Sequence, residues 1–181
     1  IVDYGLGYIL SAQNSFIKAA KEKNISAQVI ISKNPKDIDS SSHLDLPGQG
    51  AFKSCMKGIK NISGMTVALN KFALVDKKPF LGICLGMQMI AERLTEFGDY
   101  SGLGWVKGEV IHLNQLVVSG SRVPHMGWSR VEVSDLDNCL FDFVRGKREF
   151  YFSHSYAFSV KDSQKVVAIT SDYDVPIVAD I

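Results

Sequence analysis

The sequence predicts an α/β domain: a mainly parallel sheet with helices on both faces and an added antiparallel portion. Through about residue 100, apolar runs of strand length alternate with segments of helical period, the pattern of a parallel sheet covered on both faces. Beyond that point, short runs rich in β-branched and aromatic residues follow one another between Gly, Ser, Asn and Asp. The chain has 181 residues, 46% of them hydrophobic, and a formal charge of +1, enough for one sizeable core.

Ile1 to Asp3 end a strand, and Gly5 and Gly7 turn the chain. Leu10, Phe16, Ile17 and Ala20 recur at roughly helical spacing before "AQVII" makes another strand. "SHLDLPGQG" is a short strand entering a glycine loop, "AFKSCMKGIKNI" and "MTVALNKFALVD" fit helices, "KPFLGI" is a buried strand, and "LGMQMIAERL" is a helix. "GWVKGEVIHL", "QLVVSG", "SRVEVS", "LFDFV", "EFYFSHSYAFS" and "KVVAIT" then read as hairpins joined to the same sheet. No internal repeat, low-complexity tract or long linker divides the chain, so residues 1–181 are expected to be one domain. It opens on a strand-like run without methionine and closes on another, "VPIVADI". Domains seldom begin and end inside strands, and the domain is expected to lack its C-terminal part here.

Several function classes are excluded on composition. No basic excess points to nucleic acid as a partner. No run approaches the ~20 apolar residues of a membrane helix and no signal pattern opens the chain, so no membrane association is expected and the location is cytoplasmic. Cys55, Cys84 and Cys139 are odd in number, far apart and without a CxxC, which argues against a disulfide framework or zinc site. The carboxylates and histidines have no ligand spacing, so no metal and no organic cofactor is implied.

The chemistry centres on "KPFLGICLGMQM", residues 78–89. Gly82 and Gly86 flank Cys84 where a sharp strand-to-helix turn presses the chain against itself, as in the G-x-S-x-G nucleophile elbow. Such a turn exposes its side chain at the C-terminal edge of the sheet, where open α/β sheets bind ligands. The N-terminus of the following helix favours thiolate over thiol. The Leu85 N–H faces the place where an oxyanion would form, and the loop Pro47-Gly48-Gln49-Gly50 is the natural source of a second donor. Gln88 is one helical turn beyond Cys84, about 6 Å away, where an amide could grip a substrate. Glu96 lies near the expected helix end and could bind an ammonium. Cys55 and Cys139 lack flanking glycines and read as small buried hydrophobes.

"GICLGMQ" resembles the nucleophile motif of class I, triad-type, glutamine amidotransferases. "IVDYGLG", "LPGQGAF", "KPFLGICLGMQ", "GLGW…GEV", "VPHMGW" and "YFSHSY", in that order, resemble the glutaminase subunits of imidazole glycerol phosphate synthases across nearly the whole chain. The resemblance implies a three-layer, flavodoxin-like fold. It implies that Cys84 attacks the carboxamide of glutamine, forms a γ-glutamyl thioester and releases ammonia. Gly48, Gln49, Gly50 and Leu85 would form the oxyanion hole, and Gln88, Glu96, Ser155 and Tyr156 would hold the amino-acid end of glutamine. His125, Met126 and Trp128 would face a (βα)8-barrel cyclase that receives the ammonia for histidine biosynthesis; Trp and Met equally suit a domain core.

The sequence departs from the family's pattern at three places. The "FHPE"-like segment that supplies the triad histidine and glutamate is expected after Ile181, and none of His43, His112, His125 or His154 occupies that place. His154 reads instead as a strand residue with its ring bonded to backbone. Gln49 stands where the family has a small aliphatic residue, and Tyr8 replaces the usual asparagine. Two alternatives stay open: a paralogous amidotransferase subunit serving surface-sugar synthesis, and a binding or regulatory subunit of the same fold without catalysis.

Overall fold

A computed structural model describes residues 1–117, 121–134, 149–171 and 173–181. In chain order, helices α1 (Ile9–Glu22) and α2 (Pro35–Ser40) precede strand β1 (Leu44–Gly48). Helices α3 (Phe52–Asn61) and α4 (Met65–Asn70), strand β2 (Phe80–Cys84) and the single turn α5 (Leu85–Gln88) follow. The strands described beyond that point are β3 (Ala91–Leu94), β4 (Tyr100–Ser101), β5 (Val106–His112), β6 (His125–Val133), β7 (Glu149–His154), β8 (Tyr156–Val160), β9 (Ala168–Thr170) and β10 (Val178–Asp180). The mixture of parallel and antiparallel strands with helices is the α/β class read from the sequence. The chain forms two compact units, residues 1–90 with 100–105, and residues 91–99 with 106–181.

In the first unit, β1 and β2 pair in parallel with Gly48 opposite Cys84, so loop and nucleophile candidate leave the sheet at the same end. Ile1–Asp3 flanks the other side of β1: the Val2 N–H donates to the Asp45 carbonyl. Beyond it, Asp3 N–H donates to Ser32 and Ser32 N–H to Ile1, giving a parallel bridge between Val2 and Ser32. The segment order is therefore 30–32, 1–3, 44–48, 80–84. "AQVII" does not become a full strand; the pairing beside it is the single bridge of Val2 with Ser32. The core is Leu44, Leu46, Phe52, Ile59, Met65, Leu69 and Phe72, all buried. One widened turn, Lys71–Val75, extends α4 and brings Phe72 inward. α1 forms where expected yet buries no residue fully; Leu10 is 69% exposed. α2 was not anticipated: Pro35 sits in its first turn and the Asn34 side chain accepts from the Lys36 N–H.

In the second unit, β5 pairs in parallel with β3 and antiparallel with β8, while β6 pairs antiparallel with β7 and β9, and β9 with β10. Two apolar clusters sit under these strands, one around Leu113, Ala157 and Ile177, the other around Val131 and Ala168. The hairpins were expected to extend the first sheet. Among the described residues they pair with one another instead, β5 with β3 and β8, and β6 with β7 and β9. "QLVVSG" begins in a helical turn, Leu113–Gln115, rather than a strand, and its last residues lie outside those described. "LFDFV" and Cys139 also lie outside the described residues.

The long helix expected from "LGMQMIAERL" is corrected to one turn followed by strand β3. The reason is tertiary pairing. Ala91–Leu94 joins β5, Leu94 and Val110 are buried together in register, and the Arg93 guanidinium meets the Glu109 carboxylate at 2.7 Å. A ladder with buried side chains outweighs the few tenths of a kcal/mol per residue that favour a helix there, about 0.7 at most for ordinary residues. Among the described residues no helix is long and apolar enough to cross a membrane.

Candidate active site

Cys84 ends β2 and begins α5 with φ 56° and ψ −114°, a positive φ that only glycine adopts freely. Its thiol is exposed. Backbone of this kind costs about 1–3 kcal/mol and persists only where packing over-determines it. Here the packing is explicit. A Cβ on Gly86 would lie 1.7 Å from the Leu46 carbonyl oxygen, and one on Gly82 would lie 2.7 Å from the Gly86 carbonyl carbon and the Met87 nitrogen. A Cβ on Gly48 would lie 2.7 Å from Leu85 Cβ and 2.8 Å from Gly86 N. The glycines let β1, β2 and α5 meet backbone to backbone, and Cys84 is held at the crest of that contact.

The loop Pro47-Gly48-Gln49-Gly50 leaves β1 beside the elbow, with Gly50 at φ 88°. The Tyr4 hydroxyl donates to the Pro47 carbonyl at 2.5 Å, and the Cys55 thiol donates to the Gln49 carbonyl at 3.4 Å. Burial pushes the Tyr4 phenol far up, and the neighbouring Cys55, Cys84 and Asp45 add to that shift, so the hydroxyl stays protonated. Cys55 is fully buried, as a small hydrophobe is expected to be, and its thiol also points at the loop. The signal was available in position alone, since Cys55 lies in the first turn of the helix that follows the loop.

Leu85, whose N–H opens α5, is 7% exposed, and Gln88, the last residue of the turn, is 8% exposed. Only one helical turn, Leu85–Gln88, stands behind Cys84. Gly48, Gln49, Gly50, Cys84, Leu85 and Gln88 thus belong to one unit.

The other candidates belong to the second unit. Glu96 follows β3 instead of ending a helix. Tyr156 begins β8 with its ring edge-on to His112 at 5.0 Å, and its phenol is raised by burial and then by the Glu96 charge. Ser155 links β7 to β8, its carbonyl accepting from the Leu113 N–H.

The expected partner-facing trio is divided by the pleat of β6. Met126 and Trp128 are 62% and 71% exposed on one face, and Trp128 stands edge-on to Tyr151. His125 points to the other face and is 4% exposed, stacked between Phe152 and Tyr173, so it is not a surface contact. Strand alternation alone assigns neighbours in sequence to opposite faces. His154 Nδ1 lies 2.8 Å from the Tyr156 carbonyl and must donate to it, which leaves Nε2 to accept from His125 Nδ1 at 3.0 Å. His125 Nε2 then accepts from the Ser129 hydroxyl at 2.8 Å. His154 is therefore the backbone-bonded strand residue expected. His43 bonds Ser42 at the far end of β1 from the elbow. Among the described residues, no group of three or more His, Cys, Asp or Glu is placed to hold a metal ion.

A family model described as class-I glutamine amidotransferase matches residues 8–179. The chain is 37% identical to imidazole glycerol phosphate synthase subunit HisH of Pelagibacter ubique, over all of this chain and 84% of that protein. It is 34% identical to the subunit of the same name from Rhodospirillum rubrum, again over the whole chain and 84% of the relative. With subunit HisH 1 of Campylobacter jejuni it shares 41% identity over 90% of this chain and 76% of that one. Among solved structures, one described as a glutamine amidotransferase superposes with a TM-score of 0.62 at 18% identity, covering 90% of this chain and 77% of its own. That likeness concerns the fold.

Proposed function

The chain belongs to the class-I glutamine amidotransferase family, and we propose that it is the glutaminase subunit of an imidazole glycerol phosphate synthase. The observation that carries the catalytic part is the exposed Cys84 thiol on a positive-φ elbow that three glycines make sterically possible. The thiolate attacks the glutamine carboxamide carbon. The resulting oxyanion is met by N–H groups of the Gly48–Gly50 loop and Leu85, and collapse expels ammonia with the proton taken from the thiol. Water then cleaves the γ-glutamyl thioester, giving glutamate and returning the thiol. Gln88, one helical turn beyond Cys84 in the same unit, is the side chain offered to the amino-acid end of glutamine.

The ammonia passes to a (βα)8-barrel cyclase in a cytoplasmic heterodimer. Met126 and Trp128, with Tyr151 beside them, offer that partner the exposed aromatic and thioether surface that interface centres favour. His125 supports the strand from behind. The test is glutamate release from glutamine, measured on the full-length chain with and without a barrel cyclase. Release is expected mainly with the cyclase present and is abolished by Cys84→Ala. Undiminished release by the alanine variant refutes the reading.

A further inference from the structure

The loop Pro47–Gly50 can present its N–H groups to an oxyanion only if its peptide planes are held at fixed angles. Peptide units are rigid, so the carbonyl of one residue and the N–H of the next point in opposite directions within one plane. Gly48 closes β1 opposite Cys84 with its N–H turned toward β2, and the held Pro47 oxygen fixes that plane where the loop begins; holding the Gln49 oxygen sets the direction of the Gly50 N–H. The Gly48–Gln49 peptide is then bounded by a held plane on each side. Glycines at 48 and 50 would otherwise leave this stretch with the widest backbone freedom in the loop.

We propose that Tyr4 and Cys55 are positioning residues of the oxyanion loop, their hydroxyl and thiol holding the Pro47 and Gln49 carbonyls and so aiming the loop's N–H groups. The hydroxyl lies 2.5 Å from the Pro47 oxygen and the thiol 3.4 Å from the Gln49 oxygen, both side chains being buried. The surroundings are built for this contact. A Cβ on Gly58 would lie 2.6 Å from the Tyr4 oxygen of the main chain and 2.9 Å from its ring, so α3 carries glycine where Tyr4 passes. Gly7, at φ 105°, brings the chain after Tyr4 against Pro47, where a Cβ would stand 3.3 Å from the proline. The protonated phenol described above remains a donor at any working pH.

This inference deepens the glutaminase reading and rests on it for its kinetic consequence. Loss of one oxyanion donor lowers turnover by about 10²–10³-fold, and a donor that is present but unaimed gives up part of that. Tyr4→Phe and Cys55→Ala are each expected to lower kcat by about tenfold or more, with KM within about twofold. Cys55→Ser, which keeps a donor, restores most of the loss. Alkylation of Cys84 by iodoacetamide, followed on its own peptide by mass spectrometry, needs no oxyanion site and keeps the parent rate. In ¹⁵N-labelled protein, Tyr4→Phe shifts or broadens the Gly48 amide signal and Cys55→Ala that of Gly50. Parent-like amide signals in both variants overturn the proposal, and so does unchanged kcat where Cys84→Ala is dead. Turnover that survives Cys84→Ala overturns the glutaminase reading instead, and the amide signals then decide this inference by themselves.

Discussion

Replacing Gly86 by alanine tests whether the elbow depends on contact between α5 and β1. The added Cβ would lie 1.7 Å from the Leu46 carbonyl oxygen and 2.9 Å from its carbonyl carbon. A close carbon–oxygen approach is about 3.3 Å, so relief needs a separation of roughly 1.6 Å between two backbones, neither of which can swing aside as a side chain does. Leu46 is fully buried in β1, which multiplies the disturbance. Overpacking of a core costs about 1–3 kcal/mol where side chains yield, and a backbone clash belongs at or above the top of that range. With a urea slope of about 2 kcal/mol per molar, the unfolding midpoint should fall by about 1.5 M. Misplacement by about 1 Å at a reacting centre costs on the order of 100-fold in rate, so residual folded protein should turn over glutamine at least that much more slowly. Gly50→Ala is the internal control: among the described residues nothing beyond its chain neighbours lies within 4 Å of the added Cβ, and only its φ of 88° is strained, at about 1 kcal/mol. The assay is urea unfolding followed by circular dichroism, with glutamate release alongside. A Gly86→Ala midpoint within 0.5 M of the parent, roughly 1 kcal/mol, or a Gly50→Ala variant that loses as much, refutes the steric reasoning.

Two titratable groups, one buried and one half-buried, should pull stability in opposite directions with pH. Asp45 in β1 is 5% exposed, neither carboxylate oxygen has a hydrogen-bond partner among the described residues, and burial raises its pKa to about 6. A folded value above the unfolded one means this group's stabilising effect is present below about pH 4 and lost as pH rises through about 6, a loss of about 3 kcal/mol. Asp45→Asn should therefore gain roughly 1–3 kcal/mol in urea unfolding at pH 7.5 and nothing at pH 4, and a gain equal at both pH values excludes the cause. His154 is the reverse case: burial lowers its pKa, and the Tyr156 carbonyl opposes that shift. Its neutral form contributes stability above about pH 6.5 that is lost as pH falls below it. Imidazole ¹⁵N shifts should find both His125 and His154 protonated at Nδ1 at pH 7.5, and His154→Gln should flatten the stability loss between about pH 6.5 and 5. An Nε2–H tautomer at either ring contradicts the hydrogen-bond chain.

Local sterics and long-range pairing were unequally legible in the sequence, and Cys84 stands at the boundary between them. Gly82, Cys84 and Gly86 announce an elbow because the demand for glycine is created within five residues, and the structure meets it with a positive φ and contacts that exclude a Cβ. The same was true of β1 and β2, whose apolar runs are short, bounded by Gly and Pro, and paired to each other. One turn past the elbow the reading failed. "MIAERL" has helical spacing, yet residues 91–94 became a strand, because what decides them is β5, some fifteen residues on, together with the Arg93–Glu109 contact. Nothing in the local period encodes a partner at that distance.

The same distinction explains the candidate site. Cys84, Gly48 and Gly50 were readable from composition, since they are the residues that chemistry and tight turns require. Tyr4 and Cys55 were not, since a tyrosine before a glycine turn and a cysteine on a helix are ordinary residues until folding brings both beside the loop. His125 was misplaced for a related reason. Its motif groups it with Met126 and Trp128, but a strand sends alternate residues to opposite faces, and only the register of His125 against His154 reveals that its ring is spent on an internal hydrogen-bond chain. A motif records which residues occur together; the pleat decides which of them can act together. Met126 and Trp128 thus remain available to a partner, whereas replacing His125 should disturb the strand that carries them without removing a contact.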